Sequence, residues 1–152
     1  MKHKTNQPKS IQNRRARHDY ALDDSLLVGI QLTGGETKSL RRGHGHIKGA
    51  YVTVKDGELW LFNATINGDK GIIIPESEQT RTRKLLAKRK EIEALAQAKQ
   101  QGRTIVPLEI LTQGRYIKVR IAAGRGQRKY DKRQTLKKRD ETKQMAAAQK
   151  FR

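Results

Sequence analysis

Few groupings in this chain could carry chemistry, and most of them are cationic. Lys38 and Arg41 stand three residues apart, just after Thr33-Gly34-Gly35. That spacing puts two positive side chains on one side of a short helix, a ridge that suits either a phosphate backbone or ordinary solvent. His44 and His46 form a His-x-His pair, but a metal needs further ligands, and no acid or histidine stands at convincing spacing nearby. Asp19, Asp23 and Asp24 make an acidic spot beside a strand. No general base is paired with a nucleophile, and no carboxylate cluster fits metal-assisted phosphate chemistry. A ribonuclease or other enzyme is therefore not expected, and no cofactor or metal is implied.

The elements that must position the cations can be read from hydrophobic period and turn chemistry. Val28, Ile30 and Leu32 alternate with Gly29 and Gln31, as in a strand with one buried face. The glycines at 34 and 35 punctuate it. Glu36 falls in the first turn of the following helix, where the dipole favours an acid. Leu40 can pack inward, and Gly43 is a fitting stop. Residues 50–63 form a hairpin about Asp56-Gly57, a strong turn signal. In its second strand, Leu59, Trp60, Leu61 and Phe62 make both faces apolar, which suits a curled or closed sheet. Trp60 is assigned to the core, and Tyr51, just after the Gly43-His44-Gly45-His46 loop, is the better base-stacking candidate.

Residues 67–79 read as a loop broken by Gly68, Gly71 and Pro75, with Ile72-Ile73-Ile74 docking on the core. Residues 80–101 read as one long helix with Thr82 as N-cap and Gly102 just past its end. Leu85, Leu86, Ile92, Leu95 and Ala96 supply its apolar stripe. Arg81, Arg83 and Lys84 would then oppose the dipole at its start, which points to phosphate contact instead. Residues 104–123 form a second hairpin turning at Gln113-Gly114. Val106, Leu108 and Ile110 alternate on one strand, and Ile117, Val119 and Ile121 on the other. Pro107 belongs at an edge or bulge. Tyr116, Lys118 and Arg120 share the polar face. The sum is a mainly β fold: a small barrel resembling the OB-fold, with two to three flanking helices.

Charge narrows the partner. The 152 residues carry a formal charge of +19, and only 34% are hydrophobic, so part of the chain cannot join a core. Residues 1–18 hold six Lys or Arg and no acid; residues 124–152 hold eleven against three. A polyanion is the simplest partner, since neutralising phosphates releases counterions. No long apolar run or basic amphipathic helix favours a membrane. The first eighteen residues lack an apolar segment, so no secretory signal is expected. With no cysteine either, a cytoplasmic protein is expected.

Several stretches resemble one family. Gly29, Ile30, Leu32, Gly34, Glu36, Lys38, Ser39, Leu40 and Arg41 match the signature of the SsrA-binding proteins, which bind transfer-messenger RNA. Asn13-Arg14-Arg15-Ala16-Arg17-His18-Asp19-Tyr20 and Thr80-Arg81-Thr82-Arg83-Lys84-Leu85-Leu86 follow two more of its motifs, and Lys118-Val119 a fourth. The likeness runs over nearly all of residues 13–139. It departs at Leu27, where the family has a glutamate linked to RNA binding, so that role is not carried over. The resemblance implies an RNA-binding set of Asn13, Arg14, Arg17, Glu36, Lys38, Arg41, Tyr51, Arg81, Arg83, Lys84, Leu86 and Lys118. It also implies three parts: a flexible basic arm over 1–12, an OB-like barrel over 13–123, and a basic tail over 124–152. The tail is expected to be disordered in isolation and to fold on the ribosome, with Gly126, Tyr130, Asp131, Lys132 and Arg133 toward the decoding centre and the empty messenger channel. Implied partners are transfer-messenger RNA, the ribosome with its small-subunit RNA, and elongation factor Tu through the RNA. The chain is expected to act as a monomer. The rival expectation is a ribosomal protein or a nonspecific RNA chaperone.

Overall fold

A computed structural model of the chain describes residues 10–126. In order the elements are β1 (Ser10–Gln12), α1 (Arg14–Asp19), β2 (Tyr20–Leu22), β3 (Leu26–Ile30), α2 (Gly34–Arg41), β4 (Gly45–His46), β5 (Tyr51–Lys55), β6 (Glu58–Phe62), β7 (Thr65–Ile66), α3 (Glu76–Gln79), β8 (Arg83–Leu86), α4 (Arg89–Gln100), β9 (Thr104–Leu111) and β10 (Lys118–Gly126). The strands β9, β5, β6, β8, β3 and β10 are neighbours in that order, and β9 pairs with β10 to close a six-stranded barrel. Closure removes the open edges that a small sheet would otherwise expose. The expected small barrel is present, with β1 and β2 added at its rim and β4–β7 as a separate ribbon.

Three boundaries differ from the sequence expectation. Ser10–Gln12, placed in the flexible arm, form β1, pairing antiparallel with β9 and burying Ile11. Gly124–Gly126, placed in the basic tail, continue β10 and pair with β2. The long helix over 80–101 is two elements. Arg83 and Leu85 point into the barrel while Lys84 lies half-buried and Leu86 exposed, a two-residue period, and β8 bonds to both β6 and β3. Only from Arg89 does a helix run, its Ile92, Leu95 and Ala98 packing on the core. The Lys88 N–H donates to the Glu91 carboxylate at 3.0 Å, and Gly102, at φ 83, ends the helix where expected.

The barrel interior is filled by Val28, Leu40, Val52, Leu59, Leu61, Leu85, Ile105, Ile110, Val119 and Ile121 among others. The first hairpin turns at Asp56 (φ 54) and Gly57 (φ 74), as the sequence implied. Trp60 corrects the expectation of a core tryptophan. Its neighbours Leu59 and Leu61 take the inward positions, so Trp60 lies half-buried on the outer face, its Nε1–H donating to the Lys55 carbonyl at 3.4 Å. Strand alternation admits only one of two adjacent apolar residues to the interior.

β9 carries a bulge. Arg120 pairs with Glu109 and Ile121 with Pro107, so Leu108 has no opposite number. Val106 and Leu108 therefore pack with Ala16 and Ala122 in a small cluster under α1, while Ile110 stays in the barrel. The single stripe expected for these three is split between two faces. Pro107 sits beside the bulge, as anticipated. In the 67–79 loop Ile72 and Ile74 do dock, but Ile73 is 93% exposed and α3 adds one short helical turn.

Asn13 caps α1 and clamps it. Its Oδ1 accepts from the Ala16 N–H at 3.3 Å, and its Nδ2 donates to the carbonyls of Pro107 (3.0 Å) and Ile47 (3.3 Å). It is buried, which corrects its expected place among outward RNA contacts. Replacing it by Ala removes a cap and takes one donor each from the carbonyls of Pro107 and Ile47. Asn13→Ala should therefore cost about 1–3 kcal/mol in denaturant unfolding. A loss under about 0.5 kcal/mol would contradict the clamp.

Candidate nucleic-acid interface

On the outer face of the barrel, strand register brings side chains together that are far apart in sequence. Lys118 of β10 stands opposite Gly29 of β3, and Gly29 opposite Leu86 of β8. One step along, Leu27 stands opposite Arg120, and Arg120 opposite Glu109. Gly29 keeps the middle of this shelf open: a Cβ there would lie 3.3 Å from that of Leu86. Leu86, expected to serve the core as readily as RNA, is 47% exposed. Lys118 is exposed and forms no ion pair among the described residues. Arg14 and Arg17 of α1 are also exposed and share a shallow groove with Gln12, Leu108 and Glu109, so they extend the shelf at its β9 side. Arg120 is held by Glu109 at 2.8 Å and was not among the expected contacts. Its signal was present in the alternation with Lys118 on a polar face. An apolar shelf with cations on its rim can hold a sugar edge and its phosphates together.

Other expected contacts prove to hold the scaffold. Glu36 is 2% exposed and Arg83 is 0% exposed. The Arg83 Nε–H donates to Glu36 Oε2 at 2.7 Å, and Arg81 donates to both carboxylate oxygens. Arg83 also donates to the carbonyls of Ala64, Glu78, Gln79 and Arg81. Glu36 closes a capping box with Thr33, each side chain accepting from the other's N–H. Burial pushes the Glu36 carboxyl up, but hydrogen bonds from Arg81, Thr33 and Arg83 outweigh it and hold the group below its ordinary value. Desolvation lowers Arg83, opposed by Glu36. A side chain sealed from solvent cannot meet a phosphate, so Glu36 and Arg83 are corrected from RNA contacts to struts. The supposed helix dipole behind the Arg81, Arg83 and Lys84 expectation is absent as well. Arg81 is half-buried on Glu36, and Lys84 is paired with Glu58 at 2.7 Å.

Lys38 and Arg41 do not form a common ridge. Lys38 is exposed, whereas Arg41 donates to the carbonyls of Thr112 (3.1 Å), Gly114 (2.9 Å) and Arg115 (3.2 Å), pinning the β9–β10 turn to α2. Buried Glu36 is also no surface substitute for an acid at Leu27, which is 38% exposed. Tyr51 is exposed and stacked on Phe62, well away from the shelf around the barrel wall. His44 does find an acid, Asp69, which arrives from the 67–79 loop at 3.1 Å, but Asp69 also binds Arg42 at 3.0 Å. Among the described residues no group of three or more His, Cys, Asp or Glu could hold a metal ion. No helix there is long and apolar enough to cross a membrane. Of the tail residues, Gly126 ends β10, and Tyr130, Asp131, Lys132 and Arg133 lie outside the described residues, as does the expected folding of the tail.

The profile of the family described as SmpB protein matches residues 10–151, barrel and tail together. The chain belongs to the SmpB family. An SsrA-binding protein of Roseiflexus sp. (strain RS-1) is 42% identical over 142 residues, covering 92% of this chain and 90% of its own. One from Paracoccus denitrificans (strain Pd 1222) is 45% identical over 135 residues, covering 88% and 86%. A chain in a solved structure of tmRNA-SmpB, described as a journey to the centre of the bacterial ribosome, superposes with a TM-score of 0.67 at 36% identity. That match covers 85% of this chain and 95% of the other.

Proposed function

We propose that this protein binds the tRNA-like domain of transfer-messenger RNA and brings it to stalled ribosomes for trans-translation. The observation that carries this is a family match over residues 10–151, which takes in the barrel, its outward shelf and the basic tail at once. The shelf of Leu86, Gly29 and Lys118, with Arg14, Arg17 and Arg120 beside it, is the surface that grips the RNA. Cations fix the backbone, and the exposed leucines lie against sugar or base edges. Exposed Lys38 contributes charge, and Lys84 and Arg81 act at its margin. The tail then enters the vacant messenger channel, with Tyr130, Asp131, Lys132 and Arg133 near the decoding centre. Elongation factor Tu rides on the same RNA. The protein works as a monomer in the cytoplasm, as a clamp and sensor rather than a catalyst.

The deciding experiment is a titration at matched salt, since phosphate contacts make affinity salt-dependent. The full chain should prefer the tRNA-like domain to a plain duplex of equal charge. Lys118→Glu should weaken the tRNA-like domain on the order of tenfold or more, because a phosphate contact turns into repulsion. Reversal of Lys2 or Lys4 should change it far less. Indifference between the two RNAs would point to a ribosomal protein or nonspecific chaperone instead. Cleavage of labelled RNA in the presence of a divalent metal would overturn the non-enzyme reading.

A further inference from the structure

A second concave feature lies between α1 and the turn that leads into β5. It is a groove of about 380 Å³, within the range that holds a small ligand. Its floor is Ala16 and Val106, both buried. One wall is Tyr51, whose ring lies parallel to Phe62 at 5.2 Å between centroids and 5° between planes. That stack covers one face of Tyr51 and holds the ring in the groove wall. Arg15 and Lys48 flank the mouth, both exposed and neither ion-paired among the described residues. Lys48 is carried on a fixed turn, with Gly49 at φ +77 and the Ala50 N–H donating to the Ile47 carbonyl at 3.0 Å. Asp19, Tyr20 and Thr104 complete the polar rim.

We propose that this groove takes one unstacked RNA nucleotide, its base against Tyr51 and its phosphate on Arg15 and Lys48. The inference rests on the RNA-binding reading above but names a separate contact. An aromatic slot with two cations at its mouth matches a planar base joined to an anion, and such stacking tolerates any base. The groove shares α1 with Arg14 and Arg17 at the shelf's β9 side but lies well away from Lys118. Thr104 pairs with Gly124, and Leu111 with Lys118, so the two lie six residues apart along β10, roughly 20 Å. Tyr20 lines the groove and pairs with Gly126, so the groove adjoins the point where the tail leaves the barrel. The nucleotide can therefore come from an unpaired loop of the tRNA-like domain or from ribosomal RNA near the tail's root.

The test uses full-length Tyr51→Ala, Tyr51→Phe and Lys48→Glu. Each is measured for affinity to the tRNA-like domain, and then, as the protein–RNA complex, for affinity to ribosomes with an empty messenger channel. Tyr51→Ala should weaken one of the two roughly 5- to 100-fold, Lys48→Glu should weaken the same one, and Tyr51→Phe should stay within about twofold. Loss at the first step assigns the nucleotide to the tRNA-like domain; loss only at the second assigns it to ribosomal RNA. Unchanged affinity at both steps overturns the proposal, as does equal loss in Tyr51→Phe, which keeps the ring. Lys48→Glu, on an exposed turn, keeps the test decisive if Tyr51→Ala unfolds. Lys118→Glu is the control: if it alone loses the RNA, the groove is refuted and the proposed function stands.

Discussion

Glu36→Ala is expected to destabilise the barrel by about 3–5 kcal/mol, because it leaves a buried guanidinium with no counter-charge. Arg83 is wholly enclosed and cannot turn to water, and the carbonyls it meets do not neutralise it. The same substitution opens the capping box of α2 and frees Arg81. The loss should appear in urea unfolding followed by Trp60 fluorescence; a change below about 1 kcal/mol would show the strut to be dispensable. The effect should also depend on pH, with a defined sign. The Glu36 carboxyl is held below its ordinary value of 4.5, so its charged form is favoured by folding. Its contribution is fully present above about pH 4.5 and disappears as pH falls through the lower folded value. Glu36→Gln should therefore trail the unaltered chain near neutrality and approach it in acid. A constant gap across that range would count against the ion pair as the cause.

Removing residues 127–152 should abolish tagging of stalled products while leaving affinity for the tRNA-like domain within about twofold. Grip and probe are separate parts in the proposed mechanism, and this deletion removes only the probe. The cut must fall after Gly126. Gly124–Gly126 are paired with β2, and Gly124 is packed so closely that a Cβ would meet the Ala21 carbonyl oxygen at 2.6 Å. A deletion beginning at Gly124 would strip a rim strand and confound the result. Joint loss of tagging and RNA binding in the shorter deletion would contradict the division of labour. Retained tagging would mean that the tail probes nothing.

Much of the barrel was legible because its hairpins use period-two alternation and an Asp-Gly turn, signals that need no tertiary context. What failed was the stretch from Thr80 to Leu86. An arginine that points into a core reads as polar, so Arg83 broke the alternation that would have marked β8, and Leu85-Leu86 lent themselves to a helical stripe. Its burial is possible only because Glu36, 47 residues away in sequence, meets it. Asn13 and Arg41 were misread for a related reason. Both types usually face solvent, and here both serve distant carbonyls. The shelf itself was half legible. Alternation marked Lys118 and Arg120 as outward, but only strand register could set Leu27, Gly29 and Leu86 beside them.

β10 has a geometric consequence of its own. It begins at Lys118, on the rim of the shelf, and ends at Gly126, after which the tail follows in sequence. Nine residues of extended backbone make a rod roughly 30 Å long, paired with β9 from Lys118 to Gly124, with β3 as far as Ile121 and with β2 from Gly124 on. In the proposed mechanism the root of the tail at Gly126 therefore stands at a set distance from the RNA on the shelf, and the barrel serves as a gauge block between that RNA and the search for messenger.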